Sequence, residues 1–228
     1  GLSRQYSLCG DPTDAGRLRI AVLRETDGRG GSAWVHDNVK PGQRLRVRGP
    51  RNHFRLDESA AKVIFIAGGI GITPISAMAR RAQALGIDYA LHYSGRTRAG
   101  MAMLAELAAL HGDRLHVHVS AEGSRNDFGA LLAQPDANTQ LYACGPERLL
   151  DALQQACAHW PQDALRVEHF HSTLGTLDPD REHAFEAELK DSGLVVTVRA
   201  DQTLLAALRA ANIDVQSDCE EGLCGSCE

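Results

Sequence analysis

Three cysteines close together near residue 220 have a spacing suited to metal binding. Cys219, Cys224 and Cys227 form the pattern C-x4-C-x2-C within the segment CEEGLCGSC. This is the spacing of the loop that wraps a plant-type 2Fe-2S cluster, and Gly222 and Gly225 would let backbone amides turn toward the sulfurs. A zinc site is the alternative, but zinc motifs usually come as two separated Cys pairs. The pattern therefore favours iron–sulfur chemistry.

A glycine-rich segment between a predicted buried strand and a predicted helix could bind a phosphate. It reads GGIGITP at residues 68–74 and follows the apolar run at 63–67. Glycines let a phosphate approach the backbone, and a helix N-terminus supplies free amides with a partial positive charge. Because the segment lacks the third glycine of G-x-G-x-x-G, a purely structural turn is the alternative.

Three shorter motifs could take part in related chemistry. CGP at residues 144–146 puts a thiol at the end of another predicted buried strand, and RQYS at 4–7 puts a cation and an aromatic on one strand face. A fixed cation suits a phosphate, and a flat aromatic suits a ring system. GGS at 30–32 precedes a short helical stretch and could cradle an anion. The ordinary alternatives are a buried small hydrophobe, a surface strand and a flexible loop.

The segments that carry these motifs divide into a β-rich start, an α/β middle and a small hairpin unit. The first 56 residues alternate with period two, which predicts short strands of a barrel or sandwich at 5–9, 18–22 and 45–47, and a helix over 32–38. From residue 62, strand and helix patterns alternate, which predicts a parallel sheet. Its strands are predicted at 63–67, 89–93, 115–119, 140–143 and 165–169, and its helices at 73–85, 101–110 and 147–159. After an aperiodic linker, the pattern predicts a hairpin of 185–189 with 194–198 and a helix over 203–211.

Composition and charge exclude several classes of protein. The apolar fraction of 43% and the charged fraction of 23% are ordinary for a globular chain, unlike a disordered or coiled-coil one. A net charge of -5 with 5% aromatic residues gives no reason to expect nucleic-acid binding. Glycine and proline break the longest uncharged run, at 63–79, so we expect no membrane span.

His116 and His118 share a predicted strand face and are interpreted as structural or exposed. The crowding of three among six cysteines favours a reducing, cytoplasmic environment.

Taken in order, the motifs resemble those of one family. RQYSL, GRGGS, GGIGITP, CGP, a Glu168-x-Phe170 pair and CEEGLCGSC are together similar to the phthalate dioxygenase reductase and vanillate demethylase reductase family. The resemblance implies an α/β plus β fold: a partial antiparallel flavin-binding β-barrel at 1–56, a parallel α/β NAD-binding domain of ferredoxin-reductase type at 57–170, a linker at 171–183, and a partial β-grasp plant-type 2Fe-2S ferredoxin domain at 184–228. The family's first barrel strands and fourth cluster Cys have no counterpart in this sequence, so we expect a fragment that lacks both ends.

The resemblance also implies a flavin site and favours FMN over FAD. Arg4 would lie at the flavin phosphate, Tyr6 would pack on the isoalloxazine, and Ser7 would lie near the reactive ring nitrogen. Phe170 would cover the flavin. The FMN phosphate loop would comprise Gly30, Gly31 and Ser32.

A site for the nicotinamide dinucleotide follows from the same resemblance. The pyrophosphate would lie at Gly69, Gly71 and Thr73, with Cys144 and Gly145 beside the nicotinamide and Glu168 near the hydride path. Ser94 and Arg96 follow the strand predicted at 89–93, where the adenosine ribose would lie. Arg96 could accept a 2′-phosphate, but the resemblance favours NADH. The predicted catalytic set is Ser7, Cys144 and Glu168.

The function implied by the resemblance is electron transfer. The protein would be an NADH-dependent oxidoreductase that passes electrons through FMN and a 2Fe-2S cluster to a terminal oxygenase component, a Rieske-type aromatic-ring oxygenase or demethylase. One alternative is a stand-alone NAD(P)H flavin reductase or diaphorase that releases electrons to small acceptors. Another is a non-catalytic binding module whose cysteines hold zinc.

Overall fold

The computed structural model describes residues 3–14, 16–26, 28–170, 182–215 and 217, and the chain divides into two compact units. One unit is Tyr6–His169. The other combines Gly1–Gln5 with Phe170–Glu228.

The centre of the first unit is a five-stranded sheet in which every neighbouring pair is parallel. The strands are β1 (Lys62–Gly68), β2 (Asp88–Gly95), β3 (Leu115–Val119), β4 (Thr139–Cys144) and β5 (Leu165–Glu168). Their order across the sheet is β3-β2-β1-β4-β5. The chain reverses direction across the sheet at β1, and ligands of such sheets bind beyond the carboxyl ends of the strands at this switch point.

The first unit also contains five α-helices among its described residues. They are α1 (Gly31–Asn38), α2 (Ile72–Leu85), α3 (Leu104–His111), α4 (Phe128–Leu131) and α5 (Glu147–Ala156). Of these, α2 lies against β1, β2 and β4. Helix α2 ends at Gly86, which adopts a left-handed conformation that glycine reaches without strain. The predicted parallel α/β sheet is confirmed, with strand and helix bounds close to those expected from periodicity.

The sheet is buried on both faces, which explains the continuous apolar run of β1. On one face Phe65 packs edge-on against Tyr89 and at a tilt against Tyr142. On the other, Ile66 belongs to an apolar cluster that includes Leu150 and Leu153 of α5. A strand covered on both sides cannot alternate polar and apolar residues.

The first part of the chain forms less strand than the period-two pattern predicts. The helix predicted at 32–38 is confirmed as α1, but between residues 3 and 61 the described residues contain only one isolated antiparallel bridge, Leu8 with Ile20. The expected strands at 5–9, 18–22 and 45–47 are therefore not formed as ladders. Leu18 is 61% exposed and Val47 is 73% exposed, so this segment lacks the facing apolar surface that turns alternation into a sheet. The flavin barrel remains a prediction.

Two polar clusters attach this first part to the sheet. Glu106 of α3 accepts two hydrogen bonds of 2.8 Å from Arg19 and pairs also with Arg80 of α2. The Tyr142 hydroxyl accepts from the Asp57 amide at 2.8 Å and from Arg166 at 2.9 Å. The first cluster joins Arg19 to helices α2 and α3, and the second joins Asp57 to strands β4 and β5.

The described residues of the second unit contain a small antiparallel hairpin and one helix. Strands β6 (Phe185–Leu189) and β7 (Leu194–Val198) have the predicted bounds and pair around a turn, and α6 (Leu204–Ala210) follows. Thr203 caps α6 by accepting from the Ala206 amide at 3.1 Å. A small core of Val196, Val198, Ala207 and Leu208 lies between the hairpin and the helix. The antiparallel sheet is confirmed, and the partial β-grasp remains a prediction.

Within the part of the chain that the structure describes, none of the helices has the length and apolar character needed to cross a bilayer.

Candidate functional site

Two loops at the carboxyl edge of the sheet touch backbone to backbone. A Cβ built on Gly71 would lie 2.3 Å from the Cys144 carbonyl oxygen, and one on Gly145 would lie 3.0 Å from the Gly68 Cα. The first distance is too short for any side chain, and the second is tighter than almost all real Cβ contacts. The loop after β1 therefore needs glycine at position 71, and the loops after β1 and β4 form one compact surface at the switch point of the sheet.

The N-terminus of α2 next to this contact suits a diphosphate. It carries no side-chain cap and no acidic residue in its first turn, so its positive end is available to an anion. Gly69 has φ +55, and a Cβ there would meet nothing within 4 Å, so the loop offers open space. Thr73 is 2% exposed and donates its hydroxyl to the Ile70 carbonyl at 3.0 Å, so its side chain points inward. Only backbone at Thr73 remains for the predicted pyrophosphate contact.

The predicted catalytic residues Ser7, Glu168 and Cys144 come together at the same edge. Ser7 donates its hydroxyl to a Glu168 carboxylate oxygen at 3.3 Å, although 161 positions separate them in sequence. Glu168 at the end of β5 is the register partner of Cys144 at the end of β4. The three groups thus line one short stretch of the sheet edge.

Burial sets the protonation of these groups. It raises the pKa of Glu168, and the Ser7 hydrogen bond opposes that rise by favouring the charged carboxylate. Cys144 is fully buried, and burial followed by the nearby Glu168 charge raises the pKa of its thiol far above the usual value. Cys144 is therefore a buried neutral thiol and not an attacking nucleophile.

The residues predicted at the adenosine ribose lie at the carboxyl end of β2, Ser94 within the strand and Arg96 directly after it. Ser94 is half-buried and lies level with Gly68 in the register of β1 and β2. Arg96 is exposed, and its carbonyl accepts from the Ala121 amide at 3.0 Å. Ser94 thus lies one strand away from Gly68 of the glycine loop, at the carboxyl edge where ligands of such sheets bind.

The predicted FMN phosphate loop forms the start of α1. Gly30 has a left-handed φ of 79, and a Cβ there would meet nothing within 4 Å. The helix carries no side-chain cap and no acidic residue in its first turn, whereas Asp127 caps α4. Ser32 accepts from the Glu25 amide at 3.1 Å. The uncapped N-terminus, with Gly31 buried behind it, suits a phosphate.

Other predicted residues belong to the second unit or lie outside the described residues. Arg4 donates to the Ser3 carbonyl at 2.7 Å, and Arg4 and Phe170 both belong to the second unit, whereas the half-buried Tyr6 belongs to the first. Their roles at a flavin remain predictions. The predicted cluster ligands Cys219, Cys224 and Cys227 lie outside the described residues. Within the described ranges, no group of three His, Cys, Asp or Glu residues could hold a metal ion.

A polar network beside Ser94 was missed by sequence reasoning. Asn126 donates its side-chain amide to the Ser94 hydroxyl oxygen at 2.9 Å. His92 of β2 stacks on His116 and His118 of β3, with ring centroids 4.6 and 5.6 Å apart. Burial, then the neighbouring His116 and His118, lowers the pKa of His92 to about 4, so it is neutral at pH 7. The shared face of His116 and His118 was a signal in the sequence, but the third histidine and Asn126 gave none.

Comparison with known proteins extends this geometry. Residues 43–166 match the family described as dimethylamine monooxygenase subunit DmmA-like, N-terminal domain, and residues 187–228 match the 2Fe-2S iron-sulfur cluster binding domain. A phenoxybenzoate dioxygenase subunit beta from Ectopseudomonas oleovorans is 42% identical over 229 residues, which is all of this chain and 70% of that protein. The chain belongs to the oxygenase reductase family.

Two solved structures are similar to this reductase. An intact type IV self-sufficient cytochrome P450 monooxygenase is 58% identical with a TM-score of 0.94, covering 100% of this chain and 30% of that one. Phthalate dioxygenase reductase is 35% identical with a TM-score of 0.76, covering 98% of this chain and 70% of that one. The reductase thus spans about 70% of the curated relative and 30% of the P450 chain. The family resemblance and the oxidoreductase class predicted from the sequence are confirmed.

Proposed function

We propose that the reductase passes electrons from NADH through FMN and a 2Fe-2S cluster to an oxygenase partner. The observation that carries the proposal is the meeting of Ser7, Glu168 and Cys144 beside the glycine loop. Hydride transfer needs a nicotinamide and a flavin held face to face, and these side chains line the place where both would approach. Family membership supports the same conclusion, because its members are reductase components of oxygenase systems.

Each of these residues has a limited task. The fully buried, neutral thiol of Cys144 packs as a small apolar side chain at the end of β4, where a ring would approach the sheet edge. Glu168 can accept a hydrogen bond from a ligand. Ser7 holds the Glu168 carboxyl in place by donating its hydroxyl hydrogen to it, and the Ser7 hydroxyl oxygen can still accept at the edge. The uncapped start of α2 holds a diphosphate. A bound flavin would take electrons in pairs and release them singly, which an iron–sulfur cluster requires.

The finer assignment of cofactors rests on loop chemistry. FMN is proposed over FAD because Gly30 opens an uncapped helix α1 that suits a terminal phosphate. Cys219, Cys224 and Cys227 would hold the cluster, supported by the 2Fe-2S domain match over 187–228. Thiolates in this spacing are the donor set of a plant-type cluster.

An anaerobic stopped-flow experiment tests the electron path. The native protein, loaded with flavin and cluster, is mixed with NADH while flavin absorbance is followed, and frozen samples are examined by paramagnetic resonance. We expect loss of flavin absorbance first and a reduced-cluster signal afterwards. Reduction of flavin with a silent resonance spectrum would instead support a diaphorase. A colourless protein with zinc would overturn the proposal altogether.

Two oxygenase classes are candidate acceptors. A Rieske-type oxygenase is the class predicted from the family resemblance. A P450 haem is the second candidate, and the 58% identity to part of a self-sufficient cytochrome P450 monooxygenase favours it. The prereduced reductase is mixed separately with a Rieske oxygenase and with a P450 haem domain, and reoxidation of its cluster is timed. The faster acceptor identifies the class, and equal slow rates would reject both.

Arg96 tests the choice of NADH over NADPH. Its exposed guanidinium follows β2, where it could meet a 2′-phosphate. We expect Arg96→Ala to leave NADH oxidation within about twofold of the parent, since an exposed side chain contributes little there. Steady-state rates with both nucleotides make the measurement. A dominant parent NADPH activity that Arg96→Ala abolishes selectively would contradict the choice of NADH.

A further inference from the structure

The hydroxyl of Ser94 is held in one orientation by a neighbouring amide. Ser94 lies at the carboxyl end of β2, level with Gly68 of the glycine loop. The Asn126 side-chain nitrogen donates to the Ser94 oxygen at 2.9 Å. Since an amide nitrogen only donates, Ser94 must accept in this bond, and its own hydrogen remains to donate elsewhere. No acceptor for that hydrogen is found among the described residues.

The segment that carries Asn126 is anchored beside it. Its neighbour Asp127 caps α4 by accepting from the Ala130 amide at 3.0 Å, which holds the backbone of this segment. On the sheet, His92 contacts His118 at 3.3 Å between ring nitrogens, two residues before Ser94 on β2. Asn126 is half-buried, while Arg125 and Asp127 on either side are exposed. Its side chain therefore points toward the sheet edge rather than to solvent.

The direction of the free hydrogen has a consequence for binding. A ligand along this edge would meet a donor at Ser94, and the oxygen atoms of a ribose can accept from it. If Asn126 were absent, the Ser94 hydroxyl could rotate and its donor would lose its direction.

We propose that Asn126 is a positioning residue that directs the Ser94 hydroxyl as a donor to the adenosine ribose of the pyridine nucleotide. The inference rests on the proposed function, because it takes the nucleotide to lie along this edge. Asn126 itself does not contact the nucleotide. It acts through Ser94, and the nicotinamide end of the site is independent of it.

Kinetics of the native, cofactor-loaded protein with ferricyanide as acceptor test this role. We expect Asn126→Ala to raise the KM for NADH about fivefold, the factor typical of one lost hydrogen bond, and to leave kcat unchanged. Reduced nicotinamide mononucleotide lacks the adenosine half, so its kcat/KM should be the same in parent and variant. In a Ser94→Ala background, Asn126→Ala should raise the KM for NADH no further.

Asp127→Ala is the matched control, because it removes the cap of α4 and loosens the same segment without touching Ser94. It should leave the KM for NADH near that of the parent. Three outcomes would overturn the proposal. The KM for NADH could rise equally in Asp127→Ala, kcat/KM for the mononucleotide could fall as much as that for NADH in Asn126→Ala, or the effects of Ser94→Ala and Asn126→Ala on KM could add. NADH oxidation by the parent tests the proposed nucleotide site independently of Asn126. Failure of the Asn126 role is therefore distinguishable from failure of the proposed function.

Discussion

The carboxyl edge of the parallel sheet is built by two different means on its two sides. Between β1 and β4 the loop backbones touch: a Cβ on Gly71 would overlap the Cys144 carbonyl, and one on Gly145 would crowd Gly68. Between β2 and β3 the contacts are made by polar side chains, among them Ser94, Asn126 and the stacked histidines. The first side is defined by shape, and the second by hydrogen bonds.

This difference corresponds to the two halves of the proposed nucleotide. The nicotinamide half must approach a flat ring, which close backbone packing and the buried Cys144 permit. The ribose half is recognised by donors and acceptors, which side chains supply. Added side-chain volume should therefore destabilise the β1–β4 side. Loss of a hydrogen bond or a change in charge state should instead impair the β2–β3 side.

Gly71→Ala should give the largest effect of any change at this edge. Gly71 has an ordinary helical φ of -60, so a new Cβ acts only through its 2.3 Å approach to the Cys144 carbonyl oxygen. We expect a loss of about 3 kcal/mol in the free energy of unfolding, measured by urea denaturation. Gly69→Ala is the matched control: its φ is +55 but its surroundings are open, so about 1 kcal/mol of backbone strain is expected. Equal losses in the two variants would contradict the steric explanation.

His92 tests the polar side through acid. Burial and the facing His116 and His118 lower the pKa of His92 to about 4, while a hydrogen bond with Asn126 raises it slightly. The pKa of His92 is lower in the folded state than in the unfolded state. The stability that neutral His92 contributes is therefore present above pH 6.5 and is lost as the pH falls toward 4. Between pH 6.5 and 4.5 the parent should lose about 2 kcal/mol more than His92→Gln in urea denaturation.

A control histidine separates this effect from general acid destabilisation. His159 is exposed, so His159→Gln should follow the parent at both pH values. If His92→Gln loses as much stability as the parent, the acid sensitivity lies elsewhere. His111 is then the candidate, because burial also lowers its pKa to about 4.

Regular elements and side-chain contacts differ in how far the sequence predicts them. Periodicity alone predicted the β6–β7 hairpin to the residue and β1 to within one residue at each end, because burial repeats regularly along an element. The glycine loop and the CGP motif were visible as local strings. The contact of Asn126 with Ser94 was not, since it joins residues 32 positions apart that carry no periodic signal.

Failures of sequence reasoning in the first 61 residues have a related cause. Alternation at residues 18–22 and 45–47 resembles that of strands, yet strands form only when other strands supply hydrogen bonds and an apolar face. In the described residues Leu8 and Ile20 make the single bridge there. A local pattern states which residues could pair, and the tertiary partners decide whether they do.

Ser7→Ala should give the smallest effect, and one that depends on pH in the opposite sense to His92. Burial raises the pKa of Glu168 and the Ser7 hydrogen bond lowers it, so the bond stabilises the ionised carboxyl. Since a raised folded pKa makes stability fall as pH rises through it, removing Ser7 should increase that fall. We expect a loss of about 1 kcal/mol at pH 8 in urea denaturation and a smaller loss at pH 4, where the carboxyl is protonated. In a Glu168→Gln background, Ser7→Ala should cost the same free energy of unfolding at both pH values. An equal loss at both pH values in Ser7→Ala alone would mean that Ser7 contributes packing rather than a hydrogen bond to the charged carboxylate.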